Sequence, residues 1–243
     1  LENKSIPEAW HQSIDGYYQE SYLPKLAELN EGTPIADLYE PNTPASQYLQ
    51  YQYIANNPNP VGSKQALNDA GDGSSYSTIH ARYHPVLEKY HDRFGYYDLF
   101  LIDPDTGAIV YSIFKEVDYA TSLINGPYRN SNLALAFNEV VDAKGKGFIK
   151  IADFDHYKPS YGAPAAFIAS PIFDGDQFIG VLALQFPVSD INRVMTGNKN
   201  WVKDGLGESG ETYLVGSDHK MRSVSRFLEE DPDGYIELLR SLN

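Results

Sequence analysis

The chain contains no cysteine. Disulfide frameworks, thiolate metal sites and cysteine nucleophiles are excluded together. The absence fits an oxidising compartment such as the bacterial periplasm, and it fits many cytosolic chains as well. Cationic residues are scarce: 19 Lys and Arg stand against 33 Asp and Glu, a net charge of −14. Such a surface repels phosphate backbones and anionic lipid headgroups, which speaks against nucleic-acid and membrane-surface binding. Apolar runs are short. None approaches the roughly 20 residues that span a bilayer, and no secretory leader is visible. A chain that opens at Leu1 without Met and stops mid-pattern at Asn243 is expected to be a segment of a longer protein. What the sequence does have is tyrosine, 19 residues against 11 Phe and 2 Trp, within a hydrophobic fraction of 42% that suffices for a core. Tyrosines serve either as half-buried packing residues or as pocket walls that add hydroxyl donors to ring faces.

The spacing of Trp10, Ile14, Tyr17, Tyr18, Tyr22 and Leu26 predicts a helix over residues 5–30, capped by Ser5 and interrupted at Pro24. Thr43-Pro44 opens a second helix that runs to about Asn56, before the turn-rich NNPNPVGS. A third runs from Ser75 or Ser77 to about Arg93, with Ile79, Tyr83, Val86, Leu87 and Tyr90 on one side and Pro85 bending it. The period then changes. Tyr97 to Ile102 and Ala108 to Phe114 read as strands joined by the turn DPDTG. A helix over 131–143, capped by Ser131, precedes a strand over 147–154. Ala163 to Phe173 and Gln177 to Pro187 form a second hairpin across DGD. The predicted fold class is α+β: a five-stranded antiparallel sheet with flanking helices, preceded by a long N-terminal helix. GESGETYLVGSDHKMRSVSRF repeats the strand–turn–strand logic and suggests the start of a smaller module. The expected division is 1–93 helical, 94–200 sheet-bearing, and 201–243 the beginning of that module.

The runs YYDLFLIDPDTGAIVYSIFKEVDYATSLINGPY, SYGAPAAFIASPIFDGDQFIGVLALQFPVSDINRVM and GLGESGETYLVGSDHKMRS, over about residues 94–227, resemble the double Cache family. These are extracytoplasmic sensor domains of bacterial chemoreceptors, histidine kinases and nucleotide cyclases. The resemblance implies a PAS-like sheet, a small ligand held against it, and a second module nearer the membrane. It also implies membrane anchoring of the parent protein, a periplasmic location and a homodimeric receptor. No enzymatic activity and no cofactor are implied.

In such domains the pocket lies over one sheet face, between the middle strands and the segment that follows the first hairpin. Carried onto this chain, that places Tyr111, Lys115, Tyr128, Arg129, Asp153, Asp155, Tyr157, Tyr161 and Phe167 at the ligand. A carboxylate beside aromatic rings suits an ammonium group, and Lys115 or Arg129 suits a carboxylate. Asp153 and Asp155 serve equally well as turn caps in a solvated loop. The family's amino-acid signature, an arginine and a tryptophan shortly before a tyrosine and an aspartate, is missing: Tyr128-Arg129 is the nearest match, and no Trp lies between Trp10 and Trp201. The ligand is therefore expected to be an amino acid, an organic acid or an amine.

Other motifs lead nowhere chemical. His80 and His84 share a helix face, but Pro85 follows and no HExxH is present. Neither SYGAP nor GESGE is a nucleophile elbow, and DPDTGA lacks the distant glutamate of a calcium loop. The alternative to a sensor is a periplasmic solute-binding protein that delivers a small molecule to a transporter. It requires two lobes built on parallel sheets.

Overall fold

The structure, a computed structural model, describes residues 6–29 and 39–242. The expected cap Ser5 lies outside the described residues. Helix α1, Glu8–Tyr17, begins after Pro7 without a side-chain cap. It passes into a π turn, Tyr18–Tyr22, where Leu23 N–H reaches the Tyr18 carbonyl, and continues as α2, Leu23–Leu29. Pro24, expected to interrupt the helix, sits in the first turn of α2, directly after this wider turn. A proline lacks the amide that an unbroken α-helix would require there. Helix α3, Pro44–Gln50, is capped by Thr43, whose hydroxyl accepts from Ser46 N–H, and it too widens into a π turn, Tyr51–Ala55.

Helix α4, Ser75–Phe94, is capped by Ser74 and ended by Gly95 in the left-handed conformation. It carries a correction. The apolar stripe expected to face the protein faces outward: Ile79, Tyr83, Val86 and Tyr90 are all exposed. The buried side holds Ser77, His80 and His84, with Leu87 packed beneath. These side chains find partners on this side, with His80 Nε2 the one ring nitrogen of the histidine pair that has none among the described residues. His80 Nδ1 meets Asn68 O at 2.8 Å, while His84 bridges the Tyr111 hydroxyl at 2.6 Å and Gln65 O at 2.7 Å. A buried polar atom with a partner is tolerated where an unpartnered one is costly.

The sheet comprises β1 Asp98–Ile102, β2 Ile109–Ser112, β3 Lys150–Tyr157, β4 Ala163–Asp174 and β5 Gln177–Phe186, in the order β2-β1-β5-β4-β3. Every pairing is antiparallel, as the resemblance implies and as two parallel-sheeted lobes would not be. Asp103 closes the first turn: its Oδ1 accepts from the amides of Asp105 and Thr106 and from the Thr106 hydroxyl. Gly107 there has φ +68°, and a Cβ on it would fall 2.8 Å from Ile124. Helix α5, Asn132–Ala143, capped by Ser131, buries Leu133, Ala136, Phe137 and Val140 on one face. It packs on β3, β4 and β5. The same core takes Ile14, Tyr18, Tyr22 and Leu26 from the N-terminal helices. On the opposite face of the hairpin, Leu99, Tyr111 and Ile113 pack under Leu87. No helix among the described residues is long and apolar enough to cross a membrane.

The chain divides into two compact units, the first ending at Phe186 and the second beginning at Pro187. The second contains α6 Val188–Met195, α7 Arg226–Glu230 and α8 Pro232–Ser241. The hairpin expected around GSD is reduced to a single antiparallel bridge, Val215 with Met221. Tyr213, Leu214, Val215 and Met221 remain exposed, so no packed face is available to extend it into strands. Arg226 anchors this unit. Its guanidinium donates to Glu230 and to the Gly207 and Gly210 carbonyls, and lies over the Trp201 ring.

Phe137 lies at the centre of the α5–sheet contact, 1% exposed. Phe137→Ala is expected to cost about 3–5 kcal/mol in urea unfolding. Leu135→Ala, on the exposed side of the same helix, is expected to cost under about 1 kcal/mol.

Candidate functional site

The site is built by the chain leaving β2. Asp98, at the start of β1 and fully buried, does not leave its carboxylate to solvent. Its Oδ1 accepts from the amides of Leu99 at 2.7 Å, Ile113 at 2.8 Å and Phe114 at 3.3 Å. Three amides gathered on one oxygen turn the chain after Ser112, and Lys115 takes a left-handed backbone with φ +56°. Its side chain folds back. Lys115 Nζ donates to the Ser112 carbonyl and sits among three rings, 4.3 Å from the centroid of Tyr111, 5.2 Å from Tyr119 and 5.9 Å from Tyr53. Burial pulls this ammonium below the ordinary lysine range, and burial pushes Asp98 above the ordinary carboxylate range; the charge of each works against the shift of the other.

One residue on, Glu116 faces a cavity. Its carboxylate is held by two hydroxyls, Tyr97 at 2.9 Å and Ser160 at 2.7 Å, and Gln185 in turn donates to Ser160. Burial, with Asp118 nearby, pushes Glu116 up to about 8. Asp118 is buried behind it, accepts from the Tyr157 hydroxyl at 2.5 Å, and is pushed up to about 7, again mainly by burial. The cavity has a volume of about 300 Å³. Its walls include Tyr17, Tyr97, Phe114, Pro159 and Tyr161, with Lys25, Lys64, Lys115 and Glu116 as its charged groups. Tyr97 and Phe114 stack on each other at 5.2 Å. The Gln50 amide, bonded to the Tyr18 hydroxyl and to the Val117 and Tyr119 carbonyls, ties α3 to the strand-exit segment that forms the floor.

Of the residues expected at a ligand, Lys115 and Tyr161 line this cavity. Tyr157 supports it from behind through Asp118. Tyr111 packs on the other side of Lys115 and bonds His84. Phe167 is a core residue, edge-on to Tyr157 at 4.9 Å. Tyr128 is buried against Tyr39 with ring centroids 6.3 Å apart. The other three turn outward. Arg129 is exposed and reaches back to Gly126 O. Asp153 and Asp155 are exposed within β3, where their Oδ1 atoms accept from the next residue's amide. Strand alternation puts them on the outward face with Ile151, while Ala152, between Ile151 and Asp153, is buried. Asn132 takes up the Asp153 and Ala165 carbonyls on the inner side. Glu116, Lys25, Lys64, Tyr97 and Tyr17 were not singled out from the sequence. One signal pointed to Glu116 alone: KEVD, Lys115 to Asp118, places three charged residues directly after an apolar strand.

No protein-family model matches the chain, and no curated protein matches it. Solved structures similar to it include the ligand-binding domain of the Pseudomonas fluorescens chemoreceptor CtaA in complex with L-isoleucine. That match has 12% identity, covers 93% of this chain and 77% of the other, and has a TM-score of 0.40. The sensory domain of the Campylobacter jejuni chemoreceptor Tlp3 matches at 11% identity over 93% and 71% of the two chains, with a TM-score of 0.42. The sensor domain of the V. cholerae histidine kinase DctB matches at 17% identity over 75% and 59%, with a TM-score of 0.34.

The sign of the Glu116 shift gives a test of the site. A carboxylate whose folded value is raised contributes stability that is fully present below its unfolded value, near 4.5, and lost as pH rises through about 8. The amide in Glu116→Gln does not titrate. The variant is expected to gain stability relative to the parent across that window, by roughly 1–3 kcal/mol in urea unfolding. A pH-independent difference contradicts a buried, proton-retaining Glu116.

Proposed function

We propose that this chain is the extracytoplasmic ligand-binding part of a membrane-anchored bacterial signal-transduction receptor, and that its first unit binds a small polar metabolite. One observation carries the reading: a partly open cavity beside the strand ends of the first hairpin, with aromatic walls and a few convergent charged groups. Sites for small ligands have this make-up. The segment 114–117 forms the floor, and residues from α1, α2 and the loop after α3 form the walls. Occupancy therefore adds contacts between the N-terminal helices and the segment after the first hairpin, and a ligand that binds one arrangement of these elements better shifts the population toward it.

A binding role without catalysis suits the polar groups present. Ser160 Oγ is buried between Glu116 and Gln185, positioned as a support rather than exposed as a nucleophile. Dimerisation in the parent receptor belongs to the same proposal. The tyrosines that follow α1 are used internally: Tyr18 and Tyr22, in the π turn, are fully buried.

A thermal-shift screen over amino acids, organic acids and amines is expected to yield a compound that raises the melting temperature, because a ligand specific to the folded state stabilises it by mass action. Tyr161→Ala, which removes one wall, is expected to weaken that compound about tenfold or more. No stabilisation by any class, at concentrations of about 10 mM, counts against the sensor reading.

A further inference from the structure

The cavity carries an unusual charge balance for so acidic a chain. Three of its lining residues are lysines and one is a glutamate, in a protein of net charge −14. None of the three lysines makes an ion pair with a carboxylate within 4.0 Å among the described residues. Lys64 is 6% exposed, and its Nζ has one hydrogen-bond acceptor, Asn57 O at 2.9 Å. Lys115 is buried with the Ser112 carbonyl as its acceptor. Lys25 extends over the Tyr161 ring, 5.3 Å from the centroid. An ammonium has three donors. Asp98 supplies a nearby counter-charge for the buried Lys115, and Lys25 is exposed. Lys64, however, is buried with donors unused and no carboxylate within 4.0 Å among the described residues, which is costly unless something else completes it.

The aromatic surface that would attract a cationic ligand is already occupied. Lys64 lies over Tyr17 at 5.6 Å, Lys25 over Tyr161, and Lys115 among Tyr53, Tyr111 and Tyr119. Tyr97 and Phe114 stack face to face. The rings of Tyr17 and Tyr161, both in the lining, already carry Lys64 and Lys25, whereas the Lys115 ammonium is folded back among three rings that lie outside the lining. Glu116 is the one acidic group in the lining, with Asp98 and Asp118 buried behind it. It is bonded to two hydroxyls, and its raised pKa keeps it protonated at neutral pH, when it presents a neutral acid to an incoming anion.

We infer that the cavity takes a small organic acid, with its carboxylate held between the ammonium groups of Lys25 and Lys64 above a floor formed by Lys115 and Glu116. This rests on the cavity being the ligand site of the proposed function and narrows the ligand to one charge class. The lysines come from α2 and from the turn before Leu67, not from the segment after the first hairpin. Closure on an anion would therefore draw the N-terminal helices toward the sheet.

The test is calorimetric titration of the intact chain at neutral pH and low salt with propionate, succinate and malate as carboxylate probes, and with butylamine and putrescine as amine probes. At least one carboxylate is expected to bind with a Kd below about 10 mM, and neither amine in that range. Lys25→Gln, at an exposed position that does not risk the fold, is expected to weaken the carboxylate at least about tenfold, and Lys64→Met to do the same or more. Binding of an amine without any carboxylate overturns the inference and leaves the cavity as a ligand site. Silence of both classes overturns it, and an amino acid that binds in their place leaves the cavity reading standing. Carboxylate binding that Lys25→Gln and a folded Lys64→Met both leave unchanged places the acid elsewhere and overturns it as well.

Discussion

The arrangement depends on where Asp98 puts its carboxylate. A charged residue at the first position of a central strand is expensive to bury. Three backbone amides on one oxygen, together with the charge of Lys115, offset that cost. In return, the chain leaving β2 cannot continue the ladder. It turns sharply, sends Lys115 back under three tyrosines, and presents Glu116 to the space between the sheet and the N-terminal helices. Had the chain run on as a strand, Lys115 and Glu116 would have pointed to opposite faces. The left-handed backbone at Lys115 is what brings both to one floor.

Around that turn the tyrosines act as ring faces as well as packing volume. Tyr18 and Tyr22 fill the core, while Tyr53, Tyr111 and Tyr119 surround one ammonium. Lys25 and Lys64 are each set over a further ring. A site assembled this way retains its own cations near aromatic surface, where they are partly compensated, and keeps their remaining donors available. That is a binding arrangement, and its polar members are already positioned before any ligand arrives.

The sheet was legible because hairpins are local. DPDTG and DGD lie between runs of strand-forming residues, and Asp103 and Gly107 carry out the turn chemistry that their types announce. The caps Thr43 and Ser131 were legible for the same reason. The inward face of α4 was not, because hydropathy points to Ile79 and Tyr83, whereas His80 and His84 are buried by carbonyls and a tyrosine far away in sequence. The π turns before Pro24 and after Gln50 have no sequence signature that periodicity detects. At the site, Lys115 and Tyr161 were legible through the resemblance. Asp153 and Asp155 were expected inward, but they fall on the outward phase of β3 together with exposed Ile151. Glu116, Lys25 and Lys64 converge from segments about 40 to 90 residues apart, a grouping that only the folded chain displays.

The most direct test of the central claim is backbone amide NMR of the isotope-labelled chain during titration with whichever metabolite stabilises it. The account predicts that the largest shift changes fall on residues 114–117 and 160–161 and on Lys64, with Tyr128, Arg129, Asp153 and Asp155 little affected. Changes concentrated at those last four residues, with 114–117 silent, would contradict it.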